Sequence, residues 1–109
     1  MTIKELVKNA GENAEEHGFL RANPDPRHHL LGIHGEISEA VEELRMGRMV
    51  NDDWHLSEDG KPEGVPTELA DAVIRIATMC YAFGIDLEDA IRNKMEYDRR
   101  RPYLHGKRF

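Results

Sequence analysis

Two short stretches place acidic side chains three residues apart: Glu36-Ile37-Ser38-Glu39 and Glu68-Leu69-Ala70-Asp71. On a helix, residues three or four apart share a face, so each pair would point one way. Glu43 continues the first face by another turn. Were the two faces to meet, four carboxylates could not all stay ionised unaided, because each charge raises its neighbours' pKa. Either the pairs stand apart or cations bind between them. Oxygen donors with no His or Cys in the pattern suit Mg²⁺, with Mn²⁺ as a substitute. No Glu-x-x-His is present, which argues against a di-iron site. His34, two residues before Glu36, is expected in the core or at an interface rather than as a ligand.

The segments carrying these pairs read as helices. The second helix opens at Asp25, with Pro26 at its first position, and runs to about Met46. Its core stripe is expected to be Leu30, Ile33, Ile37, Val41 and Leu44, opposite the acidic side. The third helix opens at Pro66 or Thr67 and ends at Gly84. Apolar nearly all round, it belongs inside a bundle or at an interface between subunits. Only Glu68, Asp71, Arg75 and Thr78 form a polar strip along it, and Arg75, four residues from Asp71, would either neutralise it or stabilise charge developing on a substrate. A first helix is capped by Thr2 with Glu5 in a capping box and ends near Gly18. A fourth opens at Asp86 and stops by Pro102, and along it Lys94, Asp98 and Arg101 either line a site or rim or include a simple i, i+4 Lys94–Asp98 pair. Asn23-Pro24-Asp25-Pro26 is a turn.

Between Gly47 and Pro66 the periodicity lapses. A loop of this length in a compact domain is often a lid or binding loop. It holds the only tryptophan, Trp54, next to His55. Trp54 would either stack on a base or fold back as a plug on the bundle.

Composition narrows the function classes. A chain of 109 residues supports one domain. With 33% charged and 6% aromatic residues it favours exposed helices over a β-sandwich. The net charge of −6 argues against a nucleic-acid partner, which would need a basic face. The single cysteine, Cys80, excludes an internal disulfide and reads as a buried small hydrophobe. Neither a membrane span nor a signal-peptide core is evident, so a cytoplasmic protein is expected. The basic end, residues 99–109, is either a solvated arm or a source of phosphate clamps, with Arg101 the best placed.

Together, His34-Gly35-Glu36-Ile37-Ser38-Glu39-Ala40, Glu68-Leu69-Ala70-Asp71-Ala72-Val73, Gly84-Ile85-Asp86-Leu87-Glu88-Asp89-Ala90 and the Lys94…Arg101-Pro102 ending resemble the MazG-like, all-α NTP pyrophosphatases. The hallmark of that superfamily is Glu-x-x-Glu, a variable gap and Glu-x-x-Asp. The resemblance covers about residues 27–108 and implies an all-α, four-helix bundle whose core is completed in a homodimer or homotetramer. It implies Mg²⁺-dependent cleavage of NTPs or dNTPs to the monophosphate and pyrophosphate. By this resemblance Glu36, Glu39, Glu68 and Asp71 would bind the metal, and Lys94 and Arg101 would contact phosphate. Asp98, Tyr103 and Trp54 complete the expected substrate contacts. Two positions depart from the pattern. Asp98 stands where many members have Asn, and Gly35 stands where some carry an extra Glu proposed to activate water. The base is therefore open between Glu39, Glu43 and metal-bound hydroxide. The rival expectations are a non-enzymatic helical interaction module and a pyrophosphohydrolase acting on another nucleotide, such as phosphoribosyl-ATP.

Overall fold

In the computed structural model, residues 1–51 and 55–107 are described. The expected stacking or plugging role of Trp54 falls outside them, as do the last two residues of the basic tail. The described residues are mostly helical. The order is α1 (Ile3–Glu16), α2 (Phe19–Ala22), α3 (Pro26–Arg45), β1 (His55–Leu56), β2 (Pro62–Glu63), α4 (Val65–Phe83) and α5 (Leu87–Arg99), followed by a 3₁₀ turn at Tyr103–Gly106.

Local signals set most of these boundaries. The Glu5 amide donates to Thr2 Oγ1 at 3.1 Å, and the Thr2 hydroxyl donates to the Glu5 carboxylate at 3.1 Å. Asp25 Oδ1 accepts from the Arg27 amide at 2.9 Å, with Pro26 at the first position of α3. Asp86 accepts from the Asp89 amide at 3.0 Å. Gly84 closes α4 in the left-handed conformation (φ 66°), where a side chain would be strained. Two elements differ from the sequence reading. A single turn, α2, intervenes before α3. The segment expected to be a structureless loop contains an antiparallel hairpin pairing His55 with Glu63 and Leu56 with Pro62. Its turn is closed by the Gly60 amide on Ser57 O and the Ser57 amide on Lys61 O.

Helix α4 is the central element, with α3 packed along one side of it and α1 along another, while α5 meets α1. The α1–α4 approach is close. A Cβ on Gly11 would overlap the Tyr81 ring, so only glycine fits, and the Tyr81 hydroxyl donates to Glu15 Oε2 at 2.7 Å. The buried apolar residues are Ala14, Ala40, Val65, Ala72, Ala77 and Cys80, and no large side chain among the described residues is fully buried. Cys80 is buried as expected. The Cα radius of gyration is 16.4 Å, against ~13 Å for a compact chain of about this length. A single protomer therefore does not close around a substantial core.

The stripe read as the core of α3 is reversed in the protomer. Leu30, Ile37, Val41 and Leu44 are 44–50% exposed, whereas Glu36 and Glu43 are buried at 8% and 6%. Helix α3 turns its acidic side towards α4. Ala40, set between the two glutamates, is small enough to let the helices approach, and Arg75 of α4 reaches across to Glu36. His34 is likewise exposed, not in the protomer's core. On α4, Leu69, Val73 and Ile74 are also 45–49% exposed. Among the described residues no helix is long and apolar enough to cross a membrane.

Candidate metal centre

The inward face of α3 meets the first turns of α4 at a knot of carboxylates. One oxygen from each of Glu36, Glu39 and Glu68 lies within 4.8 Å of the others. Glu36 and Glu68 are buried, and Glu39 is the solvent-exposed member. Asp71, one turn further along α4, lies outside this tightest group, but its charge acts on them. Burial, then the charge of Glu36, hold its carboxyl above the ordinary value.

The hydrogen bonding is incomplete. Arg75 Nε donates to Glu36 Oε1 at 2.7 Å. Glu36 Oε2 and Glu68 Oε2 are buried with no hydrogen-bond partner. Ionised carboxylates, such as those gathered here, accept and do not donate. A buried acceptor in this position costs ~1–3 kcal/mol, and more when charged. A proton, a cation or a donating water can satisfy these oxygens. Without a cation, Glu68 takes the proton. Its burial, then the adjoining Glu39 carboxylate, raise its pKa to about 8. Glu36 goes the other way. Burial raises it, but the Arg75 hydrogen bond and charge outweigh that and hold it below the ordinary range. An oxygen-only donor set of three glutamates with an aspartate alongside suits a hard dication.

Arg75 was expected either to neutralise Asp71 or to stabilise charge on a substrate. Its guanidinium bonds Glu36 of α3, 39 residues away, and so ties the two helices together at the cluster, while its charge also favours the ionised form of Asp71. Glu43 follows Glu36 and Glu39 on the same face but does not join them. It faces His55 and Glu63 of the hairpin and lies 3.6 Å from Arg48. Glu43 is thereby grouped with His55 and Glu63, while it lines a common groove with Glu39 and Glu68. The expected phosphate contacts lie elsewhere. Lys94 Nζ bonds Asp98 Oδ1 at 2.7 Å and sits over the Tyr97 ring, 5.0 Å from its centre. Arg101 sits over the same ring and donates to His105 O. Neither cation pairs with the carboxylate cluster, and Tyr103 is 89% exposed. The Lys94 pair lowers the Asp98 carboxyl below its ordinary value.

Two features went unread in the sequence. A cavity of about 370 Å³ opens beside the cluster, with Glu36, Asp71 and Arg75 on one side and Asn13, His29 and Thr78 among its other walls. His29 is fixed there by a 2.8 Å hydrogen bond to Asn23 O and an edge-on contact with Phe83. Nothing in local spacing brings Asn13 of α1 to Asp71 of α4. The second feature is the approach of His55 and Glu63 to Glu43. Asp59-Gly60 was the signal that could have revealed it, since Asp-Gly between short extended segments favours a hairpin turn.

Comparison with family models, with curated proteins and with solved structures gives no significant match.

Proposed function

We propose that this chain is a Mg²⁺-dependent nucleoside triphosphate pyrophosphohydrolase of the MazG-like kind. The observation that carries the reading is the convergence of Glu36, Glu39 and Glu68, with two buried oxygens that no donor satisfies. Glu36, Glu39, Glu68 and Asp71 would hold the ion, and Mn²⁺ fits the same donors. When bound, the ion would supply charge neutralisation of the phosphates and Lewis-acid activation of water.

The residues of the chain then divide the work. Arg75 fixes the orientation of Glu36. Glu68 must surrender its proton before it can act as a ligand. Glu39, the exposed carboxylate of the group, is placed to accept a proton from water. That water attacks the α-phosphorus, the bond to the bridging oxygen breaks, and pyrophosphate leaves with the electron pair. The neighbouring cavity has the size of a small-ligand site, and Asn13, His29 and Thr78 offer hydrogen bonds to a nucleoside there. Lys94 and Arg101 are the cations that the resemblance assigns to phosphate oxygens. To reach phosphate, Lys94 would exchange its bond to Asp98 for one to substrate.

The functional unit in this reading is a homo-oligomer, in which a four-helix bundle is completed between subunits and the exposed apolar faces of α3 and α4 are covered. Contiguous exposed apolar surface commonly marks such contacts. A cytoplasmic location accords with a nucleotide substrate.

The test is pyrophosphate release from a panel of NTPs, dNTPs and phosphoribosyl-ATP with and without Mg²⁺. Mg²⁺-dependent release from NTPs or dNTPs is expected. Release from phosphoribosyl-ATP alone would reassign the substrate. No release from any of them, together with no saturable Mg²⁺ binding, would leave a helical interaction module.

A further inference from the structure

The hairpin brings a second set of ligands to α3, different in chemistry from the first. Glu43 Oε1 lies 4.0 Å from His55 Nε2, and His55 Nε2 lies 3.9 Å from Glu63 Oε2. One atom from each of the three side chains falls within 4.8 Å of the others. These separations are too long for hydrogen bonds. They are slightly wider than two ligands on one ion, which at 2.0–2.1 Å from a tetrahedral centre stand ~3.4 Å apart. With all three atoms within 4.8 Å of one another, side-chain movements of up to about an ångström bring them to that spacing.

Glu43 is itself a buried acid, 6% exposed. Its Oε2 faces Arg48 at 3.6 Å without a hydrogen bond, and its Oε1 is the oxygen turned to His55. The proposed hydrolysis gives His55 and Glu63 no role and takes Glu39, not Glu43, as the proton acceptor. An imidazole with two carboxylates is also a poor match for Mg²⁺ and a good one for a borderline metal.

We infer that Glu43, His55 and Glu63 form a second cation site, selective for a first-row transition-metal ion of the Zn²⁺ class, that pins the β1–β2 hairpin to α3. His55 binds through Nε2, and one coordination position is left for water. Glu43 and Glu39 are one helical turn apart and line a common groove with Glu63 and Glu68. The site therefore lies next to the carboxylate cluster without sharing a ligand with it.

The probe is Zn²⁺, or Co²⁺ for its visible spectrum, titrated into the full chain in saturating Mg²⁺. The expected result is one equivalent bound, with Co²⁺ giving the absorption of a four-coordinate ion. His55→Ala and Glu63→Gln should each weaken binding by at least ~100-fold, above the ~10–100-fold typical for groups that only support a ligand. Helical circular dichroism and Mg²⁺ binding should be unchanged. Should either variant fail to fold, the native chain decides. The ¹⁵N resonance of His55 Nε2 must move on addition of one equivalent of Zn²⁺. Undiminished Zn²⁺ affinity in His55→Ala, or an unmoved Nε2 resonance, overturns the assignment. Nucleotide cleavage is no part of these readouts, so an inactive chain that binds Zn²⁺ through His55 would remove the first reading and leave this one.

Discussion

The two faces of α3 exchange the places that ordinary amphipathic folding would give them. The side against α4 carries Glu36 and Glu43 in burial, while the side towards solvent carries Leu30, Ile37, Val41 and Leu44. Isolated in water, such a protomer bears two costs at once: acceptors without donors inside, and apolar surface outside. In the proposed reading each has its own remedy, a cation for the first and a second copy of the chain for the second. The contrast with the α1–α4 seam is instructive. There Gly11 receives the Tyr81 ring and Ala14 is buried, as in any well-packed helix pair. The inversion thus belongs to the α3–α4 seam, where Glu68 of α4 is buried as well while Leu69, Val73 and Ile74 are exposed, and functional expectation concentrates there.

The most damaging change to the inner face should be loss of a ligand that leaves the fold alone. Glu39 is exposed, so Glu39→Gln removes a charge without opening a void. Turnover of the preferred nucleotide should fall by more than ~100-fold, beyond the loss typical for groups that only support a ligand, and Asp71→Asn should behave alike. Circular dichroism should show unchanged helix in both. Full activity of both variants at saturating Mg²⁺ would separate the carboxylates from the chemistry.

On the outer face the expected effect is on assembly. Val41→Lys places a charge in the exposed apolar stripe. Burial of one such side chain is worth ~1.5–3 kcal/mol, and a subunit contact would bury it in both copies. Sedimentation should show a native oligomer and a Val41→Lys species at the 12.5 kDa mass of one chain. A native chain that sediments as a monomer at micromolar concentration would mean that the outer face has no partner in another copy.

How much of this was legible beforehand differs between the faces. Helical periodicity alone aligned Glu36 with Glu39 and Glu68 with Asp71, but it left open whether the two pairs meet; the structure brings Glu36, Glu39 and Glu68 together. The caps at Thr2, Asp25 and Asp86 were readable because a side chain and an amide two or three residues on decide them. Periodicity states that two faces of a helix differ, however, and is silent on which turns inward. The usual assumption that apolar faces inward assigned Ile37 and Val41 to the core, whereas Ala40 and the Arg75–Glu36 pair turned α3 round. The His55–Glu63–Glu43 approach depended on a hairpin only two residues wide, too short for a run of alternating hydrophobicity. The position of Lys94 relative to the cluster was hidden for a different reason, since no local pattern shows that α5 meets α1.

Acidity gives a finer probe of the inner face. Glu68 has an ordinary carboxyl value of 4.5 and is raised to about 8 in the folded chain. Between those values the folded state holds more proton than the unfolded state, so stability falls as pH rises. This contribution is fully present below about 4.5 and is lost as pH climbs through about 8. Glu36, held low mainly by Arg75 against its burial, acts in the opposite sense. Its contribution is present above the ordinary value and is lost in acid. Mg²⁺ must displace the Glu68 proton, so its affinity should climb up to about pH 8 and then level. Calorimetric titrations at several pH values should show proton release on binding. In Glu68→Gln the metal-free decline in melting temperature between about pH 5 and 8 should flatten. A native chain whose Mg²⁺ affinity is level across that range would show that Glu68 does not carry the proton.

The smallest effect belongs to the conventional seam and serves as its control. Thr2 caps α1 with one hydrogen bond to the Glu5 amide, and replacing such a cap with alanine costs ~1 kcal/mol. Thr2→Ala should lower stability by about that amount in urea titrations, with an unchanged dependence on denaturant. Because α1 contributes no carboxylate to the cluster, the loss should be equal with and without Mg²⁺ and should add to that of Asp71→Asn. A cap deletion that altered Mg²⁺ affinity would mean that the α1–α4 seam and the acidic face of α3 respond as one unit, and the separation drawn between them would not hold.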